Sequence, residues 1–242
     1  MLAIKNNILY KKISFIVKKH SLRTRDIIFI VGKPRSGTTW LLSLLENHTD
    51  CLGITPSMLE IETIRPTKET GLFARNLSDE EIIHKINLLP KNKKMVEKTP
   101  SHLFYIDKIK EILPQSKIIL IKRNSLDVIY SMIQPNEFWS NSPKNISEAT
   151  ALYNKFSKAE SNYLKYIDYT INYEDLWNNT ETELTRLMDY LEIDTNQIPK
   201  LIKKTKDGKN LPDTLKKVFR TGTPGQHNFN KKEINYIKHR IS

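Results

Sequence analysis

Apolar residues along the chain fall into short blocks of two periods. Ile27 to Val31 is a continuous apolar run closed by Gly32, the signature of a strand buried on both faces. Thr38 to Glu46 changes period. Trp40, Leu41, Leu44 and Leu45 share one side of a helix. The next stretch, Cys51 to Lys68, has no clear period. Ser78 with Glu81 predicts a capping box opening a helix through Leu89. Met95 to Glu97 reads as a short strand, and Ser101 to Leu113 as a helix burying Leu103, Ile106, Ile109 and Leu113 before Pro114 stops it. Lys117 to Ile121 is a second buried strand. Asn124 caps a helix to Ile133, a polar loop fills Gln134 to Asn145, and Ser147 to Tyr166 is a long amphipathic helix. Tyr169 to Asn172 is a third strand. Thr180 with Glu183 predicts another capping box ahead of Leu184, Leu187, Met188 and Leu191. Lys203 to Thr223 reads as a basic loop or lid, and Lys231 to Arg240 as the last helix. Continuous apolar strands alternating with helices predict an α/β fold, a central parallel sheet flanked by helices on both faces.

The chain has 242 residues, which favours one main domain over residues 26–242 preceded by a basic segment, 1–25. The opening residues are broken by Lys5, Lys11 and Lys12, so they form neither a signal peptide nor a span. Packing against the domain is the favoured reading there, with weak membrane-surface association as the alternative. A net charge of +12 calls for an anionic partner without choosing among nucleic acid, acidic glycan, lipid and a phosphorylated nucleotide. The single cysteine, Cys51, excludes an internal disulfide and a thiolate zinc cluster, and fits a reducing, cytoplasmic setting.

The densest chemistry lies between the first strand and the first helix, in Gly32-Lys33-Pro34-Arg35-Ser36-Gly37-Thr38-Thr39-Trp40. Gly32 and Gly37 let backbone wrap an anion, the helix start aims N–H groups at it, Lys33 and Arg35 bring full charges, and Thr38 and Thr39 bring hydroxyls. The loop is P-loop-like but not a nucleoside-triphosphate loop: Thr38 stands where that loop has Lys, and no Asp follows a strand to hold magnesium. A phosphate met by side chains rather than by a metal is the expectation. Arg123, directly after the second buried strand, and Ser131, eight residues on, are placed to clamp a second phosphate. Two phosphates at opposite ends of one nucleotide argue against ATP.

At these residues the chain resembles the sulfotransferases that use 3′-phosphoadenosine 5′-phosphosulfate (PAPS), in their bacterial and carbohydrate-type branch. Their 5′-phosphosulfate loop reads like Pro34-Arg35-Ser36-Gly37-Thr38-Thr39-Trp40, and their 3′-phosphate motif is an Arg followed by a Ser spaced as Arg123 and Ser131 are. Val96-Glu97-Lys98-Thr99-Pro100 resembles the family's Glu-Lys-(Thr/Ser)-Pro element, whose Lys approaches the sulfuryl group. The resemblance implies Arg35 and Lys98 as catalytic groups, PAPS as co-substrate, adenosine 3′,5′-bisphosphate (PAP) as product, and no metal. A general base is also required. Relatives place a Glu after the loop helix, which points to Glu60, narrowly ahead of Glu62. Pro100 occupies the place of the cytosolic enzymes' His, and His102 stands two residues later. Ile171-Asn172-Tyr173-Glu174-Asp175-Leu176 resembles an element whose Tyr helps hold adenine. Arg220 and Gly222 resemble part of a loop closing over the 3′-phosphate, with Thr221 in place of its Lys. The implied acceptor is a carbohydrate or small-molecule hydroxyl rather than nucleic acid. A P-loop kinase or NTPase, and a non-catalytic basic nucleic-acid-binding protein, are the competing readings.

Overall fold

The structure, a computed structural model, describes residues 25–63, 68–135, 139, 141–206 and 223–241. Five strands form one sheet: β1 (Ile27–Gly32), β2 (Cys51–Gly53), β3 (Lys94–Lys98), β4 (Lys117–Lys122) and β5 (Tyr169–Asn172). All pairings are parallel, in the order β2-β3-β1-β4-β5. Helices α1 (Thr38–Glu46), α2 (Asp79–Asn87), α3 (Ile106–Ile112), α4 (Ser125–Ile133), α5 (Ile146–Tyr163), α6 (Tyr173–Asn178), α7 (Thr180–Tyr190), α8 (Ile198–Lys206) and α9 (Lys231–Lys238) surround it.

The strand period splits the core into two halves. Ile27, Phe29 and Val31 of β1 face one side, with Ile118 and Leu120 of β4, and are covered by α2, α3 and Phe156 of α5. Ile28 and Ile30 face the other, with Ile119 and Ile121, and are covered by Leu41, Leu42, Leu44 and Leu45 of α1 and by Leu184, Leu187 and Met188 of α7. All six residues of β1 are buried, as a central parallel strand requires. A smaller cluster joins Val128, Ile129 and Met132 of α4 to Ala149 of α5 and Ile237 of α9.

From β1 the chain runs to the β2 edge, and from β4 it runs to the β5 edge. The order therefore reverses between β1 and β4, and the crevice beyond their C-terminal ends is where α/β sheets bind ligands. Arg35 leaves β1 there, and Arg123 leaves β4.

The capping box of Ser78 and Glu81 forms at α2, and Asn124 accepts from the Leu126 and Asp127 amides at α4. The one expected at Thr180 does not. Asn179 alone separates α6 from α7, so α7 starts one residue early, Thr180 lies within it, and the Glu183 amide bonds the Asn179 carbonyl. The helix expected over Ser101–Leu113 is split into a 3-10 segment, Pro100–Tyr105, and α3. Part of the stretch read as loop from Lys203 belongs to α8. None of the described helices is long and apolar enough to cross a membrane.

Candidate active site

The loop between β1 and α1 is built around two glycines and one strained arginine. A Cβ on Gly32 would stand 2.6 Å from the Ile121 carbonyl oxygen, and one on Gly37 would stand 2.4 Å from the Tyr173 ring, at a φ of 102°. Arg35 itself holds a positive φ of 72°, a conformation that costs a non-glycine residue roughly 1–2 kcal/mol. That turn aims its carbonyl at β4, where Arg123 Nη1 donates to it at 3.1 Å. Arg35 Nε in turn donates to Ser131 Oγ at 2.9 Å. The two arginines, 88 residues apart, are thus tied to each other's half of the crevice.

Two guanidinium groups this close repel. Burial first, and then the Arg123 charge, push the Arg35 pKa below the ordinary arginine value, with Tyr173 opposing. An anion seated between them relieves both effects. Tyr173, at the first turn of α6, is 4% exposed; the Arg123 guanidinium lies 4.3 Å over its ring centroid and Trp40 meets it edge-on at 5.3 Å. Burial pushes its hydroxyl up to about 12. The tyrosine expected at a strand end instead opens a helix, α6. The ring is a cushion beneath Arg123, backed by Trp40 and Gly37.

The loop's other residues divide. Ser36 is fully buried, and both its amide and its hydroxyl donate to the Lys33 carbonyl, at 3.1 and 2.7 Å, so it closes the loop on itself. Lys33 reaches α5. Its Nζ lies 2.5 Å from Glu160 Oε2 of α5, and Lys122 Nζ lies 2.7 Å from the other oxygen. Burial raises the Glu160 carboxyl, but these two lysines outweigh it and hold it below the usual range. Lys33 so anchors the loop to α5. Thr38 and Thr39 open α1, where the first-turn N–H groups have no intrahelical acceptor.

Lys98 ends β3 beside Ile30 of β1. Its side chain is 4% exposed, and Nζ donates to Glu69 Oε1 at 2.8 Å. Sequence reasoning missed Glu69; it lies in a segment with no period and no motif. Glu60 and Glu62 are exposed and make no ion pair with a described residue. Glu60, at φ 50°, closes the 3-10 turn Pro56–Leu59, and its carbonyl accepts from Lys85 of α2. His102 is fully buried: Nδ1 lies 2.7 Å from Glu97 Oε2, and Nε2 accepts from the Phe73 amide. Both ring nitrogens thus face buried protein groups. Arg220 and Gly222 lie outside the described residues. The chain is described again from Thr223, where the Gly225 amide donates to Asp127 Oδ2 of α4 at 2.8 Å. Among the described residues, no three His, Cys, Asp or Glu side chains gather so as to hold a metal ion.

A parallel sheet, a glycine loop entering a helix, and two arginines at the strand-order reversal define a nucleotide-binding α/β protein. Residues 62–197 match the profile of the sulfotransferase family, and the chain belongs to that family. Over 192 residues it is 27% identical to a Caenorhabditis briggsae protein provisionally named a protein-tyrosine sulfotransferase, covering 71% of this chain and 67% of that one. The fold is shared with a mouse sulfotransferase solved in complex with PAP, at a TM-score of 0.62 and 21% identity over 91% of this chain and 86% of that one. It is shared also with the sulfotransferase domain of the Synechococcus PCC 7002 olefin synthase, at a TM-score of 0.56 and 19% identity over 89% and 95% of the two chains. The protein is a sulfotransferase.

Proposed function

We propose that the sulfuryl donor is PAPS and that the acceptor is a hydroxyl group of a carbohydrate or other small molecule. One observation carries the donor reading: Arg35 and Arg123 meet at the crevice between β1 and β4, each bonded into the other's site. A nucleotide with phosphates at both ends of one ribose spans such a pair. Its 5′-phosphosulfate lies on the Arg35 loop and the start of α1, and its 3′-phosphate on Arg123 and Ser131. Thr38 and Thr39 add donors to the 5′ group. Binding opens the bond between Arg35 Nε and Ser131 and frees both groups for phosphate oxygens.

The acceptor oxygen attacks sulfur in line with the bond to the 5′-phosphate. The new oxygen–sulfur bond forms as the old one breaks, PAP leaves with the bridging oxygen and its electron pair, and the acceptor proton passes to a base. Arg35 and Lys98 meet the charge growing on that oxygen. Fixed cations in a site screened from water stabilise the transition state more than the ground state. Thermal shift tests the donor. PAP without metal is expected to raise Tm in proportion to the logarithm of its concentration. Stabilisation by ATP with magnesium and none by PAP would return the protein to the kinase or NTPase reading.

A further inference from the structure

Asp127 is an odd residue to bury. It lies in the first turn of α4 at 3% exposure, and among the described residues no cation forms an ion pair with it. A carboxylate taken out of water needs partners. The start of a helix favours its charge, and the Gly225 amide, 98 positions later, donates to its Oδ2 at 2.8 Å. Two more contacts run beside that bond. Asn228 Nδ2 donates to the Tyr130 hydroxyl at 3.1 Å, and the Phe229 ring meets the Tyr130 ring edge-on at 5.4 Å. Phe229 also packs against the cluster of Val128, Ile129 and Met132. Residues 225–229 thus form a clasp along the first two turns of α4. An apolar side chain at 127 would pack this helix without the cost of burying a charge; a carboxylate adds a directed bond to one backbone amide.

The same turns carry half of the crevice. Ser131 follows Tyr130 and stands four residues after Asp127, on the same side of α4, where it accepts from Arg35 Nε at 2.9 Å. Burial first, and then the Glu174 and Asp127 charges, push up the Tyr173 hydroxyl against Arg123 and Arg35, so the Asp127 carboxylate lies within the field of the two arginines. We infer that Asp127 is a positioning residue for the donor: through the Gly225 amide it holds the clasp on α4, and so fixes the turn that presents Ser131 to the 3′-phosphate. This rests on the donor reading above. α4 follows β4, whereas Lys98 ends β3 on the other side of β1, so the clasp acts on donor binding and not on the transfer step. Linkage makes the effect reciprocal. The factor by which the clasp raises donor affinity is the factor by which bound donor favours the closed clasp.

Two measurements test this. Calorimetry compares PAP with adenosine 5′-monophosphate, which lacks the 3′-phosphate. Asp127→Ala is expected to raise the PAP Kd about tenfold, the worth of one charge-assisted bond, and to leave the Kd of the monophosphate within about twofold. A merely structural residue would weaken both alike. Asp127→Asn keeps an oxygen for the Gly225 amide and should bind PAP within about threefold of the wild type. Amide hydrogen exchange of the wild-type protein reads the reciprocal side: saturating PAP should slow exchange at Gly225 about tenfold. Wild-type PAP affinity in Asp127→Ala, an equal loss for both nucleotides, or an Asn variant as weak as the Ala variant would overturn the inference. So would a Gly225 amide indifferent to PAP, a result that holds even if Asp127→Ala does not fold. A wild-type protein that binds no PAP would sink the donor reading, and this inference with it.

Discussion

Arg123→Ala separates the binding role of the second arginine from its structural one. Among its contacts with described residues, Arg123 donates to the Arg35 carbonyl and lies over Tyr173. Each is worth only about 0.5–1.5 kcal/mol. Their loss is partly offset, because the neighbouring charge that weakens Arg35's proton affinity also goes. The unliganded variant is thus expected to lose about 1 kcal/mol. Binding should suffer more. Two charge-assisted bonds to a phosphate at roughly 1.5 kcal/mol each amount to about 3 kcal/mol, or a Kd raised about 100-fold. At a PAP concentration of about 100 times the wild-type Kd, bound ligand stabilises the wild type by roughly 2.7 kcal/mol and the variant by roughly 0.4 kcal/mol. For a domain of this size that is a Tm rise of about 5–11 °C against one of about 1 °C. Calorimetry and a melting series over PAP concentration read both numbers. A variant that binds PAP as the wild type does would refute the placing of the 3′-phosphate on Arg123.

Other outcomes follow from the same geometry. Lys98→Ala should lower kcat by about 100- to 1,000-fold while PAP affinity stays within a few-fold, measured by single-turnover transfer beside calorimetry. Gly37→Ala should cost about 2–4 kcal/mol in denaturant melts, because the new Cβ meets the Tyr173 ring at a φ that side chains avoid. Glu160→Ala leaves Lys33 without its carboxylate and should lower stability by about 2–4 kcal/mol and weaken PAP binding. Glu97 gives a pH dependence. Burial raises its carboxyl, but His102, Thr99 and Thr70 outweigh burial and hold it below the usual range. Its folded pKa lies below its unfolded one, so its contribution is complete above the unfolded value of about 4.3 and is lost as pH falls through the folded value. Melts from pH 7 downward should show a decline below about pH 4 that Glu97→Gln, less stable throughout, shows less of.

The centre of the sheet was legible because β1 and β4 are continuous apolar runs, one ended by glycine and the other by charge. β1, β4 and β5 stand where the period placed them, and α1 begins at Thr38 as read. β2 escaped notice because three residues, Cys51 to Gly53, are too short to show a period, and its pairing comes from β3. α6 was hidden because Tyr173 continues the apolar alternation of β5, while the acidic residues Glu174 and Asp175 favour a helix start only once the strand ends. In the site, residue type and spacing singled out Arg35, Arg123 and Ser131, and the structure brings the three together. Type and spacing did not indicate direction. Lys33 carries the right charge in the right loop, yet an acidic residue 127 positions later draws it to α5. Glu69 carries no local signal, because what places it is a strap pinned to a glutamate buried within β3. That buried glutamate was the available clue: an acidic residue inside a strand needs partners from elsewhere, and Thr70 is one.

Binding of PAPS as proposed requires one adenosine to join the Arg35 and Arg123 pockets. Calorimetric titration of the wild-type protein with PAP, adenosine 5′-monophosphate and adenosine 3′-monophosphate tests it most directly. PAP is expected to bind at least about 100-fold tighter than either monophosphate, because each phosphate contributes roughly 3 kcal/mol at its own arginine. Equal affinity for PAP and one of the monophosphates would contradict it.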